Sequence, residues 1–277
     1  MLCFSTYINS WYVEYLPVFL FGLHRAYPEY HAKVFVKEKV PGRISSLLEE
    51  LNLDHYEIVD DLAHRKSPDK RVQWFYDIAG NAEPRVVYYM WMLPFHELQQ
   101  FEYVCTCDID LLLLRENPDL LTTRKELMKK SGLPFSNFVR PYSPPKRLSG
   151  WQVFETAPYY DKMQPVIDKI EVDLESMSSK YRNGMDEEIW ETEPILYRMA
   201  KEAFQFQDTQ LPQNYAHHHG IHLGPFRGQK TPGRRNLNHP YWMRQDVLND
   251  SEVLHAICRK ITGPAQTVCN RFLDYFK

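Results

Sequence analysis

The sequence predicts an α/β fold in which helices cover a mainly parallel central sheet. Strand-like and helical segments alternate through the N-terminal part of the chain, and this alternation is typical of parallel sheets. A short apolar, β-rich run at residues 103–107 is typical of a buried central strand, and it ends at Asp108 and Asp110. Helical patterns dominate the remainder. We therefore expect one domain over residues 1–277 with a helical C-terminal elaboration.

Apolar periodicity predicts the N-terminal elements. Residues 2–8 form the first predicted strand, and Asn9 or Ser10 is a candidate cap for a helix that runs to about residue 27, with Pro17 limiting where its regular part begins. Further strands are predicted at residues 32–36 and 56–59, with a helix at 41–51 between them. Residues 64–80 are polar and less regular, which indicates a loop, and a helix is expected at about 83–93.

Caps and helix breakers predict the later elements. Asn117 is a candidate cap for a helix that ends at Gly132, and residues 138–148, rich in proline and basic residues, indicate a loop. Further predicted elements are a short strand at 149–154, helices at about 158–177 and 184–203, and two C-terminal helices separated by Gly263 and Pro264.

Composition excludes several classes of function. A net charge of -3 provides no polybasic surface for nucleic acid or membrane. The five cysteines, an odd number without a metal-knuckle spacing, indicate a reducing compartment, so we expect a cytoplasmic location. The apolar N-terminal run has no basic leader and is interrupted by Glu14 and Pro17. We therefore interpret it as a strand and a helix rather than a signal peptide or membrane span.

The acidic pair is the strongest chemical signal. Two charges at the end of a buried strand are costly to desolvate unless something pairs with them. In an extended segment residues i and i+2 point the same way, so Asp108 and Asp110 can converge on one point. Hard oxygen ligands suit Mg²⁺ or Mn²⁺. The alternative is an ordinary acidic pair where a strand meets a loop, and we favour the metal site.

A histidine-rich stretch at residues 213–228 is the second signal. Its imidazoles could bind metal, contact phosphate, or belong to a solvated polar loop. His219 and His222 are separated by Gly220, which allows close backbone approach to a ligand. Small residues interleaved with cations then follow, and they suit a diphosphate. These residues are Gly224, Arg227, Gly228 and Lys230.

The order of these features resembles that of GT-A fold nucleotide-sugar glycosyltransferases, most closely glycosyltransferase family 8 and its relatives. The resemblance spans roughly residues 2–230. The segments that carry it are, in order, 4–7, Arg85, 108–110, 148–150, Asp186-Glu187 and 221–224. No single motif is specific, but the ordered set is more so. The resemblance implies a GT-A, Rossmann-like fold with a nucleotide-binding half at about 1–115 and an acceptor and metal-completing half at about 116–277.

The resemblance also implies roles for individual residues. Asp108 and Asp110 would bind Mn²⁺ or Mg²⁺ bridging the nucleotide diphosphate, with His222 as the third protein ligand and His219 as the alternative. The other implied roles place Thr6 and Tyr7 near the base, Arg85 near the diphosphate or donor sugar, Gly150 at the sugar-binding surface, and Asp186 or Glu187 facing the donor or acceptor. Independently of the resemblance, the interleaved cations lead us to expect that Arg227 or Lys230 closes on the phosphates.

The predicted function is metal-dependent transfer of a hexose or deoxyhexose from a nucleotide sugar, a UDP-sugar by preference, to a glycan acceptor, with retention implied by the family. The chain is compatible with being one domain of a larger enzyme. One alternative is a catalytically silent nucleotide- or glycan-binding module of the same fold. Others are a metal-dependent nucleotidyltransferase and a phosphohydrolase, although Leu112 stands where the haloacid dehalogenase type of phosphohydrolase has Thr or Val.

Overall fold

The computed structural model describes residues 1–81, 88–140, 146–172, 192–212, 219–227, 247 and 249–276. The strands are β1 (Leu2–Ile8), β2 (His31–Val36), β3 (Tyr56–Val59), β4 (Tyr103–Thr106), β5 (Leu111–Leu113), β6 (Phe135–Ser136), β7 (Val139–Arg140), β8 (Arg147–Leu148), β9 (Gln152–Glu155) and β10 (Gly220–His222). The α-helices are α1 (Leu16–Ala26), α2 (Gly42–Leu51), α3 (Lys70–Gly80), α4 (Phe95–Leu98), α5 (Leu120–Ser131), α6 (Thr156–Val172), α7 (Thr192–Phe204), α8 (Ser251–Lys260) and α9 (Gly263–Phe276).

The central sheet has the strand order β3-β2-β1-β4-β9-β6. The pairs β1–β2, β1–β4 and β2–β3 are parallel, whereas β9 runs antiparallel to β4 and β6 runs antiparallel to β9. The predicted α/β class with a mainly parallel sheet is confirmed. The C-terminal helices α8 and α9 pack on each other and confirm the predicted helical elaboration. Within the described ranges, no helix combines the length and apolar character that crossing a bilayer requires.

Alternating side chains on β1 supply the cores on both faces of the sheet. Phe4 and Ile8 belong to the core that contains α1 and the C-terminal helices, whereas Cys3 and Tyr7 belong to the core that contains α3 and α6. All four side chains are buried. A strand covered on both faces is expected to be apolar throughout, which is why the first strand was predicted with its observed bounds.

The loop predicted at residues 64–80 is wrong, because α3 occupies most of it. Asp69 caps this helix, and its side chain accepts hydrogen bonds from the backbone N–H groups of Arg71 and Val72, each at 2.9 Å. Apolar positions at helical spacing, including Val72, Phe75 and Ala79, face the core. The many polar residues between them form the solvated face of an amphipathic helix.

Two predicted helix starts are also corrected. The first helix begins at Leu16, after a 3₁₀ turn, because the Asn9 side chain accepts from the backbone N–H of Trp11 at 3.0 Å and holds a separate turn. The cap of α5 is Asp119 rather than Asn117, since Asp119 Oδ1 accepts from the backbone N–H of Thr122 at 2.8 Å. Helix boundaries depend on such local side-chain bonds.

The prediction of a loop throughout 138–148 is wrong at both ends, where the short antiparallel strands β7 and β8 pair with each other, and residues 141–145 lie outside the described residues. The strand predicted at 149–154 is β9, which begins at Gln152. The helix predicted at 184–203 is described from Thr192 onward as α7. The helix predicted at 83–93 is described only from residue 88, where a 3₁₀ helix runs from Tyr88 to Trp91.

Close packing of α1 on β5 supports the strand that directly follows Asp108 and Asp110. Gly22 on α1 permits this approach, because a Cβ atom there would lie 2.9 Å from the backbone nitrogen of Leu113 and 3.0 Å from Leu112 Cδ1. The backbone atom cannot rotate away from an added methyl group. Any larger residue at this position would therefore force α1 and β5 apart.

We expect Gly22→Val to lower the free energy of unfolding by about 1–3 kcal/mol, because overpacking must displace β5. Chemical denaturation measures the change. Gly42→Val is the matched control, since Gly42 is exposed and a Cβ atom there would have no neighbour within 4 Å. Equal effects of the two substitutions would contradict the proposed role of Gly22.

Candidate metal centre

The acidic pair lies where the chain leaves the central sheet. Strand β4 ends at Thr106, and the chain bends through residues 109–110 before β5 begins. Asp108 is exposed, whereas Asp110 is buried and only 2% exposed. One ligand atom each from Asp108, Asp110 and His222 lie within 4.8 Å of one another. The predicted convergence is thus present, although a bend rather than a continuous strand produces it.

Strand pairing brings His222 to the acidic pair. β10 runs antiparallel to β5, with His222 opposite Leu111, and the backbone N–H of Leu223 donates to the backbone oxygen of Asp110 at 2.8 Å. The imidazole Nε2 of His222 lies 3.2 Å from Asp110 Oδ1. Backbone hydrogen bonds therefore fix the relative position of two side chains that are far apart in sequence.

Gly224 leaves the space that the His222 ring occupies. A Cβ atom at residue 224 would lie 2.9 Å from both Cε1 and Nε2 of His222, and 3.3 Å from Asp110 Oδ2. A side chain at this position would push against the imidazole atom that faces the carboxylate. Gly224, two residues after His222, therefore leaves room for the observed contact, and a larger residue there would displace the half-exposed imidazole.

Arg227 contacts the second oxygen of the same carboxylate. Its guanidinium donates to Asp110 Oδ2 at 2.6 Å. The guanidinium also lies over two aromatic rings, 5.2 Å from the centre of the Tyr12 ring and 5.9 Å from that of Tyr15. Both oxygens of Asp110 thus face positively charged or protonatable groups, which compensates the cost of burying the carboxylate.

These contacts shift the pKa values of the candidate ligands. Burial opposes ionisation of Asp110, but the hydrogen bond with His222 and the charges of His222 and Arg227 outweigh it and lower the pKa of Asp110. Burial opposes protonation of His222, but the hydrogen bond and charge of Asp110 raise its pKa. Desolvation by the surrounding protein and the charge of Asp110 raise the pKa of Asp108 to about 6, although the residue is exposed to solvent.

Gly150 lies beside Asp108 and connects it to a further carboxylate. A Cβ atom at residue 150 would lie 3.4 Å from Asp108 Oδ2, so a side chain at this position would extend toward the carboxylate. The backbone N–H of Gly150 donates to Glu193 Oε1 at 3.1 Å. Glu193 also pairs with Arg140 at 3.3 Å and with Arg147 at 3.6 Å. Glu193 was not predicted as a site residue, because no local motif in the sequence marks it.

The remaining described candidates are buried side chains. His219 is fully buried, and its Nδ1 lies 3.3 Å from the hydroxyl of Tyr27, so the structure brings His222 rather than His219 to the acidic pair. Tyr7 is buried, and its hydroxyl donates to the backbone oxygen of Ala79 at 2.8 Å. Thr6 is buried within β1.

Several predicted site residues lie outside the described residues. They are Arg85, Asp186, Glu187 and Lys230. Of the cations predicted near the phosphates, only Arg227 is among the described residues.

The donor set suits a divalent cation. Two carboxylates are the ligands that Mg²⁺ and Mn²⁺ prefer, and a neutral imidazole adds a nitrogen ligand that favours the transition ion of the two. Asp108, Asp110 and His222 are thus the residues that would hold Mn²⁺ or Mg²⁺.

Comparisons with known proteins return glycosyltransferases among solved structures. The apo-form glycosyltransferase GlyE of Streptococcus pneumoniae TIGR4 is 12% identical with a TM-score of 0.40, over 77% of this chain and 44% of that chain. An active-site mutant of LgtC is 13% identical with a TM-score of 0.35, over 62% of this chain and 65% of that chain. The galactosyltransferase LgtC in complex with donor and acceptor sugar analogs is 14% identical with a TM-score of 0.31, over 76% of this chain and 68% of that chain.

This chain spans less than half the length of the GlyE chain that it matches. No protein-family model matches the sequence, and no curated protein matches it. The three solved structures belong to the class that the sequence resemblance predicts.

The contact between His222 and Asp110 predicts a histidine titration. With chelator present, we expect His222 to titrate above the ordinary histidine pKa of about 6.5, and Asp110→Asn to lower its pKa by removing the negative charge. NMR of the histidine ring across pH measures both values, and loss of the signal in His222→Ala assigns it. Asp54→Asn, at an exposed carboxylate, is the control. An unchanged titration in Asp110→Asn would contradict the contact.

Proposed function

We propose that this chain is a metal-dependent glycosyltransferase that moves a hexose or deoxyhexose from a nucleotide sugar to a glycan acceptor. The observation that carries the proposal is the cluster of Asp108, Asp110 and His222, with Arg227 beside it, at the end of a central parallel strand. In open α/β sheets, ligands bind in the crevice outside the carboxyl ends of the strands. The cluster lies at that end of β4, next to the carboxyl end of β1.

The two carboxylates of the cluster differ in their exposure to solvent. Exposed Asp108 faces an incoming ligand, whereas buried Asp110 is held in place by His222 and Arg227. A divalent cation bound here would stabilise the negative charge that builds on a diphosphate leaving group as the glycosidic bond breaks. Arg227 is half-exposed and carries a fixed positive charge, so it can also contact the phosphates.

Other roles in the proposal come from the sequence resemblance. The donor is a UDP-sugar, transfer proceeds with retention, and the nucleotide-binding half covers about residues 1–115 of a single domain at 1–277. The residues that keep the roles predicted in the sequence analysis are Thr6, Tyr7, Arg85, Gly150, Asp186, Glu187, Gly224 and Lys230. Glu193 joins this set as the described carboxylate that holds Gly150 against Asp108.

The proposal predicts that one nucleotide sugar in a panel releases its nucleoside diphosphate in the presence of Mn²⁺ and that a chelator abolishes this release. We expect Asp110→Asn to reduce the rate at least about hundredfold, because the metal and its charge stabilisation are lost. Asp54→Asn is the matched control and should retain the wild-type rate, since its carboxylate is exposed. Circular dichroism tests whether each variant is folded.

Other outcomes identify the rival functions. Release of pyrophosphate would indicate a nucleotidyltransferase, and metal-dependent binding of UDP without release in the presence of glycan acceptors would indicate a binding module. Neither release nor binding, or full activity in Asp110→Asn, would contradict the metal-dependent reaction. NMR of the product anomer distinguishes retention from inversion.

A further inference from the structure

We propose that Arg227 couples the binding of the divalent cation to the binding of the anionic ligand. In this proposal, which rests on the proposed function, the guanidinium opposes a cation that binds alone at Asp110. It favours the cation when a nucleoside diphosphate binds with it. Arg227 thereby makes the site select the metal–diphosphate pair rather than the free metal.

The contacts of Asp110 are the first support. Its Oδ1 faces Nε2 of His222 at 3.2 Å, and its Oδ2 accepts from the Arg227 guanidinium at 2.6 Å. A cation that approaches Asp110 therefore meets a positive charge already bound to the carboxylate. Either the guanidinium leaves Oδ2 or the two positive charges remain close together, and both alternatives oppose binding of the free cation.

The way Arg227 is attached to the fold is the second support. The Arg271 guanidinium donates to the backbone oxygens of Phe226 and Arg227 at 3.4 and 3.3 Å, and the Phe226 ring packs edge-on against Phe272 with centroids 5.4 Å apart. The backbone is thus anchored, whereas the Arg227 side chain is 43% exposed. The guanidinium can change partners without displacement of the chain that carries it.

Aromatic rings border the Arg227 guanidinium while it contacts Asp110. The Tyr12 and Tyr15 rings lie 5.2 and 5.9 Å from the guanidinium carbon, close enough for cation–π attraction. A planar guanidinium can remain stacked on a ring while its N–H groups turn to phosphate oxygens, which it binds in a bidentate manner. A lysine ammonium lacks this fork, so arginine suits a switch between carboxylate and phosphate.

Charge accounts for the sign of the coupling. With the cation alone, Arg227 adds repulsion at short range. With a diphosphate present, the same guanidinium neutralises part of the ligand charge, and each ligand then promotes binding of the other. Linkage requires that the factor by which UDP raises metal affinity equals the factor by which metal raises UDP affinity.

A titration with Mn²⁺, in the absence and presence of UDP, tests the proposal. The electron paramagnetic resonance signal of free Mn²⁺ measures how much of the ion is bound. Without UDP, we expect Arg227→Gln to bind Mn²⁺ about tenfold more tightly than the wild type, because short-range repulsion is removed. The factor by which UDP raises Mn²⁺ affinity should be smaller in Arg227→Gln. Arg227→Lys keeps the charge, so its Mn²⁺ affinity without UDP should be closer to that of the wild type.

Arg71→Gln is the matched control, because it removes the same charge from an exposed pair with Asp168. It should bind Mn²⁺ as the wild type does. Equal or weaker Mn²⁺ binding in Arg227→Gln without UDP, or an unchanged effect of UDP, would overturn the coupling. In that case, loss of Mn²⁺ binding in Asp110→Asn would still support the proposed function. Absence of Mn²⁺ binding to the wild type, with and without UDP, would overturn both proposals.

Discussion

A buried carboxylate at the edge of the central sheet is the constraint on which the candidate site depends. An ionised side chain such as Asp110 is costly to bury unless charged or hydrogen-bonding groups surround it. His222 and Arg227 provide these groups, and they lie 112 and 117 residues further along the chain. The C-terminal half must therefore fold back to the acidic end of β4, and burial of Asp110 joins the two halves of the molecule.

Three contacts make this return of the chain specific. β10 pairs with β5 directly after the acidic pair, α1 packs closely on β5 through Gly22, and Arg271 on α9 holds the backbone that carries Arg227. A further bond joins the start of the chain to its end, since the backbone N–H of Thr262 donates to Glu14 at 2.8 Å. The helical elaboration thus supports the site as well as covering the sheet.

Local patterns predicted the sheet and the acidic pair, because apolar runs and short spacings involve neighbouring residues. The choice of His222 over His219 came from the family resemblance. Local patterns failed for α3, where the polar face concealed the apolar positions that the core covers. They also failed for Glu193, whose partners Gly150 and Arg140 are far away in sequence. The contact of Arg227 with Asp110 could not be predicted either, since only tertiary folding brings these residues together.

The proposed function requires that Asp108, Asp110 and His222 form one metal site, just beyond the carboxyl end of β4. An anomalous-difference map of crystals grown with Mn²⁺ and UDP tests it most directly, because the map locates the ion without reference to activity. We predict a peak within coordination distance of all three side chains, next to the diphosphate of the bound UDP. A peak at other residues, or well-ordered UDP with no peak at these three, would contradict it.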